Sequence, residues 1–156
     1  MKKKQLVCSI IFLFFLTIVM VMIITPSSYL FGSNTDWLSQ HVNLADYLRH
    51  TMIENKTLCP DFAFNIGAGV NIYNLSYYGL FRPDVLIGCL IPSVAMKDII
   101  IIYIVINLIL SVNLLYIWLK SKNFNNGLCI IGAILLLCSS VLFHSHRQIM
   151  FVDYMP

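Results

Sequence analysis

The sequence predicts an all-α polytopic membrane protein. It would have three transmembrane helices and a long extracytoplasmic loop carrying an amphipathic helix and a re-entrant or interfacial half-helix. Three observations predict it. Of 156 residues, 59% are hydrophobic and only 11% charged, against about a quarter charged in soluble domains. Uncharged runs of 19, 21 and 17 residues occupy positions 6–24, 99–119 and 127–143. Each approaches the roughly 20 apolar residues that cross a hydrocarbon core of about 30 Å. Lysines flank these runs in a pattern that sets an orientation.

The first span, residues 6–24, follows Lys2, Lys3 and Lys4. Its apolar stretch exceeds the roughly 7–15 residues of a signal-peptide core, and no clean small-x-small cleavage site precedes Pro26, so it reads as a signal anchor. Lysines favour the cytoplasmic side. Placing Lys2–Lys4 together with Lys120 and Lys122 inside leaves the loop over residues 26–98 and the tail over 144–156 outside. Three spans satisfy this rule, and a fourth would put Lys120 and Lys122 outside.

Within the loop, Gly32-Ser33-Asn34-Thr35 has turn and N-cap composition and opens a helical pattern from about residue 37 to 54. Trp37, Leu38, His41, Val42, Ala45, Leu48, Met52 and Ile53 recur at spacings of three and four. Gln40, Asn43, Asp46, Arg49 and Glu54 take the other side, so the helix is amphipathic. Residues 61–71 are helix-poor, and Gly67 and Gly69 read as tight backbone turns: no strand and third glycine make them a phosphate-binding fingerprint. Tyr73, Tyr77, Tyr78 and Phe81 form an aromatic cluster, either an interfacial belt or a sugar- or lipid-contacting surface. Residues 85–96 are apolar but only 12 long and contain Pro92, which predicts a half-helix and not a span.

The flanking lysines account for the net charge of +3. No basic stripe indicates nucleic acid as a partner; membrane lipid is the partner the spans predict. The five cysteines have neither a disulfide framework nor metal-type spacing.

Two places could carry chemistry. Asp36 opens the amphipathic helix, with Gln40 one turn on and His41 beside it. The carboxylate is either a helix N-terminal stabiliser or a general base or metal ligand held at the membrane face. Directly behind the third span come His144, His146, Arg147 and Gln148. An Arg fork gives two parallel charge-assisted hydrogen bonds to a phosphate, and His relays protons or adds charge. Interfacial anchoring is the simpler role for the same groups. His-Ser-His alone is a weak metal signature, so no metal site is assigned.

Taken in order, these pieces resemble the N-terminal part of the YfhO family of bacterial membrane proteins. The resemblance runs through the Lys-rich start and first span, GSNTDWLSQH at 32–41, and Leu48-Arg49. It continues through Ile66-Gly67-Ala68-Gly69, Tyr77-Tyr78 with Pro83, and HSHRQIMFVDYMP at 144–156, its most specific motif. It implies the N-terminal part of a GT-C-like fold in the bacterial cytoplasmic membrane, with a cytoplasmic N-terminus. The implied activity is glycosyl transfer from a polyprenyl-phosphate-sugar donor to an extracytoplasmic, teichoic-acid-like cell-envelope polymer.

In that frame Asp36 occupies the place of the catalytic acid of the first external loop. Gln40, His41, His144, His146, Arg147 and Gln148 would bind substrate. Many GT-C enzymes carry two acids where Asn34-Thr35-Asp36 has one, which argues against a bound divalent metal; no other cofactor is implied. Family members have many more spans, so the chain is expected to be an N-terminal fragment of a longer protein and inactive alone. The rival from another class is a non-catalytic lipid-carrier binder, flippase partner or assembly subunit, with Asp36 only stabilising a helix end.

Overall fold

In the computed structural model the described residues are 3–24 and 37–139. They form two compact units, one from residues 3–24 with 104–139 and the other from 37–103. Helix α4 (Met96–Ser121) contributes its first two turns to the second unit and the remainder to the first.

The apolar unit contains α1 (Lys3–Ile24), most of α4, and α5 (Asn126–Leu137). At 22 and 26 residues, α1 and α4 are about 33 and 39 Å long, enough to cross a membrane. Leu13, Leu108, Val112, Tyr116, Cys129, Ala133 and Leu137 form its core. Hydroxyls within α1 bond back to their own helix: Thr17 Oγ1 donates to the Leu13 carbonyl at 2.8 Å, which satisfies a group otherwise costly in an apolar setting. One polar chain ties the three helices. Tyr116 Oη donates to Asn126 Oδ1 at 2.8 Å, and Asn126 Nδ2 donates to Ser9 Oγ at 3.3 Å. Asn126 begins α5, so the amide that starts this helix also pins it to its neighbours.

Of the predicted third span over residues 127–143, the described part forms helix α5, 12 residues and about 18 Å long, and residues 140–143 lie outside the described residues. Cys138 follows as a turn, and the Ser139 amide bonds the Leu136 carbonyl in a tightened last turn. Serines compete for backbone groups and favour such helix ends. Among the described residues two helices, α1 and α4, are long and apolar enough to span, with α5 a shorter apolar helix.

The second unit starts with a π-helical turn, Trp37–His41, running directly into α2 (Val42–Glu54). Most of the predicted apolar stripe is buried, namely Trp37, His41, Val42, Ala45, Leu48 and Met52, whereas Ile53 at its end is exposed. Arg49, assigned by polarity to the outer side, is also buried. Its Nη1 donates to the Val94 carbonyl at 2.7 Å and its Nη2 pairs with Asp46. The guanidinium thereby holds α2 against the 91–95 connection.

After α2 the chain makes a two-stranded antiparallel ribbon, β1 (Phe62–Ala63) and β2 (Val70–Asn71), with Phe62 opposite Asn71. Gly67 and Gly69 between them both have positive φ, as the turn reading required. A 3-10 helix (Ile72–Tyr78) follows, its start capped by Asn71 Oδ1 accepting from the Tyr73 amide at 2.9 Å.

Helix α3 (Pro83–Leu90) replaces the half-helix read at residues 85–96. Pro83 at its first turn needs no amide partner, so the helix begins two residues earlier than expected. It stops at Leu90 because Pro92 keeps Ile91 out of helical backbone, at φ −128° and ψ 63°. Gly88 allows close packing here: a Cβ on it would meet Arg49 Cδ at 2.9 Å and Met96 Sδ at 3.1 Å.

The lysine-derived orientation gives a first testable result. Asn65 and Asn123 are both exposed. In the full-length protein freed of its native cysteines, Asn65→Cys is expected to react with an impermeant maleimide added to intact cells, and Asn123→Cys to stay unlabelled until lysis. Labelling at position 123 in intact cells would overturn the orientation.

Candidate functional site

The site is built around the π-helical turn. A π turn is rare and wider than an α turn, and such turns often occur at functional positions. This one carries Gln40 and His41 and immediately follows Asp36 in sequence. Gln40 is exposed, and its Oε1 accepts a hydrogen bond from Tyr78 Oη at 3.0 Å. His41 is buried, with its ring centroid 5.8 Å from that of Tyr78 in a tilted arrangement. Tyr77 packs edge-on to Tyr78 at 5.2 Å. Two of the predicted site residues thus converge on one tyrosine from 37 or 38 positions downstream in the chain.

The cluster combines an exposed amide, a phenol and a buried imidazole. Tyr78 Oη donates to Gln40 and keeps acceptor capacity at a half-buried position, which suits a hydroxyl-bearing ligand. His41 supports Tyr78 from the buried side. Asp36, His144, His146, Arg147 and Gln148 lie outside the described residues. Among the described residues no group of three or more His, Cys, Asp and Glu side chains could hold a metal ion.

Beyond this cluster, Arg82 and Asp84 form a buried pair. Arg82 Nε donates to Asp84 Oδ1 at 2.6 Å and Nη2 to Oδ2 at 2.7 Å. Asp84 also lies in the first turn of α3, where a negative charge is favoured by the helix dipole. Near α2, Cys89 Sγ lies 4.0 Å from the Arg49 carbonyl. Burial pushes its thiol above the ordinary value and the Arg49 charge pulls it partway back, so it stays protonated at neutral pH. A raised folded-state value means its contribution to stability is complete below the ordinary thiol range and is lost as pH climbs through the raised value.

Sequence reasoning left Tyr78 within a general aromatic cluster and gave no role to the Arg82–Asp84 pair. A signal for Tyr78 was present: Ile72, Leu75 and Tyr78 recur every third residue, the period of a 3-10 helix, and the first two are buried.

Among the described residues two long apolar helices, with a compact unit of polar, ion-paired and aromatic contacts, fit a helical membrane protein. The chain belongs to the YfhO family: the family described as Bacterial membrane protein YfhO matches residues 8–155. No curated protein and no solved structure matches the chain.

Proposed function

We propose that this chain is the N-terminal part of a membrane glycosyltransferase. It would move a sugar from a polyprenyl-phosphate carrier to a hydroxyl of an extracytoplasmic cell-envelope polymer of the teichoic-acid kind. The observation that carries this reading is the Gln40–Tyr78 hydrogen bond beside His41, in the turn directly after Asp36. It brings together hydroxyl-binding groups from the residues that follow, in sequence, the one carboxylate in the segment that the GT-C resemblance singles out.

In this reading Asp36 accepts the proton of the acceptor hydroxyl. The acceptor oxygen bonds to the anomeric carbon as the bond from that carbon to the carrier phosphate breaks, inverting its configuration. Arg147, with His144 or His146, holds the phosphate as negative charge develops on it, and Gln148 adds a donor. Gln40 contacts the acceptor or sugar hydroxyls, and His41 acts through Tyr78 to position it.

The test is reconstitution of the full-length protein in proteoliposomes. Transfer is expected from a polyprenyl-phosphate sugar and none from a nucleotide sugar. Arg147→Lys keeps the charge and loses the bidentate fork, at a cost of about 2 kcal/mol or roughly 30-fold in kcat/KM, and Arg147→Ala costs more. Full transfer by Arg147→Ala would reduce Arg147 to an interfacial anchor. Absence of transfer from any polyprenyl-phosphate sugar would favour a non-catalytic carrier binder.

A further inference from the structure

The second unit contains a groove of about 700 Å³ that the Gln40–His41–Tyr78 cluster does not use. Its walls are the C-terminal half of α2, the turn after it, and the start of the hairpin. Tyr47, Glu54, Asp61, Phe62, Phe64 and Asn65 supply its chemistry. A volume of this size lies within the usual range for small-molecule sites, about 300–1,000 Å³.

Phe62 and Phe64 are exposed, at 42% and 77%, with ring centroids 5.1 Å apart. Two open rings packed on each other, one on β1 and one in the turn that follows it, are costly to leave in water unless something covers them. The ribbon also makes room for one of them. A Cβ on Gly69, at φ +104°, would come within 2.6 Å of Phe62 Cε1, so the Phe62 ring lies directly over the glycine. In the same lining, Glu54 and Asp61 offer charged acceptors and Asn65 an amide. Neither Lys nor Arg lines the groove among the described residues.

We infer that this groove binds a neutral, polyhydroxylated saccharide. Flat ring faces cover the C–H face of a pyranose by dispersion, and carboxylates make strong hydrogen bonds to its hydroxyls. With no Lys or Arg in the lining, His50 as its one described group that can carry positive charge, and the carboxylates of Glu54 and Asp61 present, the groove disfavours a phosphate or polyanion as the occupant. An alkylammonium ion fits less well, because phenylalanine is a weaker cation partner than tryptophan and the rings lie open instead of forming a cage.

The groove is separate from the candidate reaction site. The two share no lining residue, and along α2 the groove wall runs from Tyr47, about 9 Å beyond His41, to Glu54, about 20 Å beyond it. As a subsite for the sugar-bearing part of an extended acceptor, the assignment rests on the glycosyl-transfer reading; as a saccharide groove it does not.

The experiment uses the full-length protein in nanodiscs with maltotetraose, cellotetraose and chitotetraose, each titrated to millimolar concentration by calorimetry. At least one is expected to bind and to slow alkylation of the native Cys59, an exposed thiol in the groove wall. Phe64→Ala, at an exposed site that leaves folding intact, is expected to weaken binding about tenfold. Asp36→Asn should leave it unchanged. Failure of all three sugars to bind, binding indifferent to Phe64→Ala, or displacement by tetramethylammonium would each overturn the proposal. Saccharide binding without transfer from any polyprenyl-phosphate sugar would leave the groove standing and remove the glycosyl-transfer reading alone.

Discussion

Asp84→Asn is expected to destabilise the compact unit of residues 37–103 by about 3–5 kcal/mol, the usual cost of removing one partner from a buried ion pair. The carboxylate is fully buried, and both its oxygens accept from Arg82. Asparagine keeps the shape but turns one acceptor into a donor facing a guanidinium. The Arg82 charge is then buried without a counterion, and its Nη1 already lacks a hydrogen-bond partner. The same change removes a favourable charge from the first turn of α3.

Two controls separate this from a generic effect. Asp98→Asn, at an exposed carboxylate in the first turn of α4, should cost under about 1 kcal/mol. Replacing both members, Arg82→Leu with Asp84→Leu, should recover much of the loss, since an apolar pair leaves no buried charge unmatched. Thermal unfolding of the full-length protein, followed through exposure of the Cys89 thiol, measures all three. An Asp84→Asn protein that melts with the wild type would show that the pair contributes nothing.

The parts of the fold legible in the sequence are those with a long or periodic signal. Helices α1 and α4 follow from uncharged runs that leave room for little else, and α2 follows from apolar residues three and four apart. Arg49 was misplaced because polarity says nothing about a carbonyl 45 residues away, at Val94, that would receive it. The ribbon escaped notice because strands of two residues are too short to alternate, although the turn glycines between them were readable. Helix α5 follows from its apolar run, and its end at Leu137 was not legible because Cys138 and Ser139 are uncharged, while serine weakens a helix through its own hydrogen bonding.

The candidate site was partly legible. Gln40 and His41 were chosen for their closeness to Asp36, and they meet each other's surroundings at Tyr78. Tyr78 itself comes from a different element, so spacing along α2 could not reveal it. The groove was invisible for the same reason: Glu54 belongs to α2, Asp61 to the following turn and Phe64 to the hairpin, and only the fold brings them to one surface.

The central claim, that the chain belongs to a catalyst and not a binder, turns on Asp36. In the full-length protein, reconstituted with a polyprenyl-phosphate sugar and an acceptor polymer, single-turnover transfer by Asp36→Asn is the most direct measurement. If the carboxylate is the general base, the rate should fall by about 10²–10⁴-fold, with donor affinity within about twofold of wild type. A rate equal to wild type would contradict the account, leaving Asp36 as no more than a charge stabilising the end of a helix.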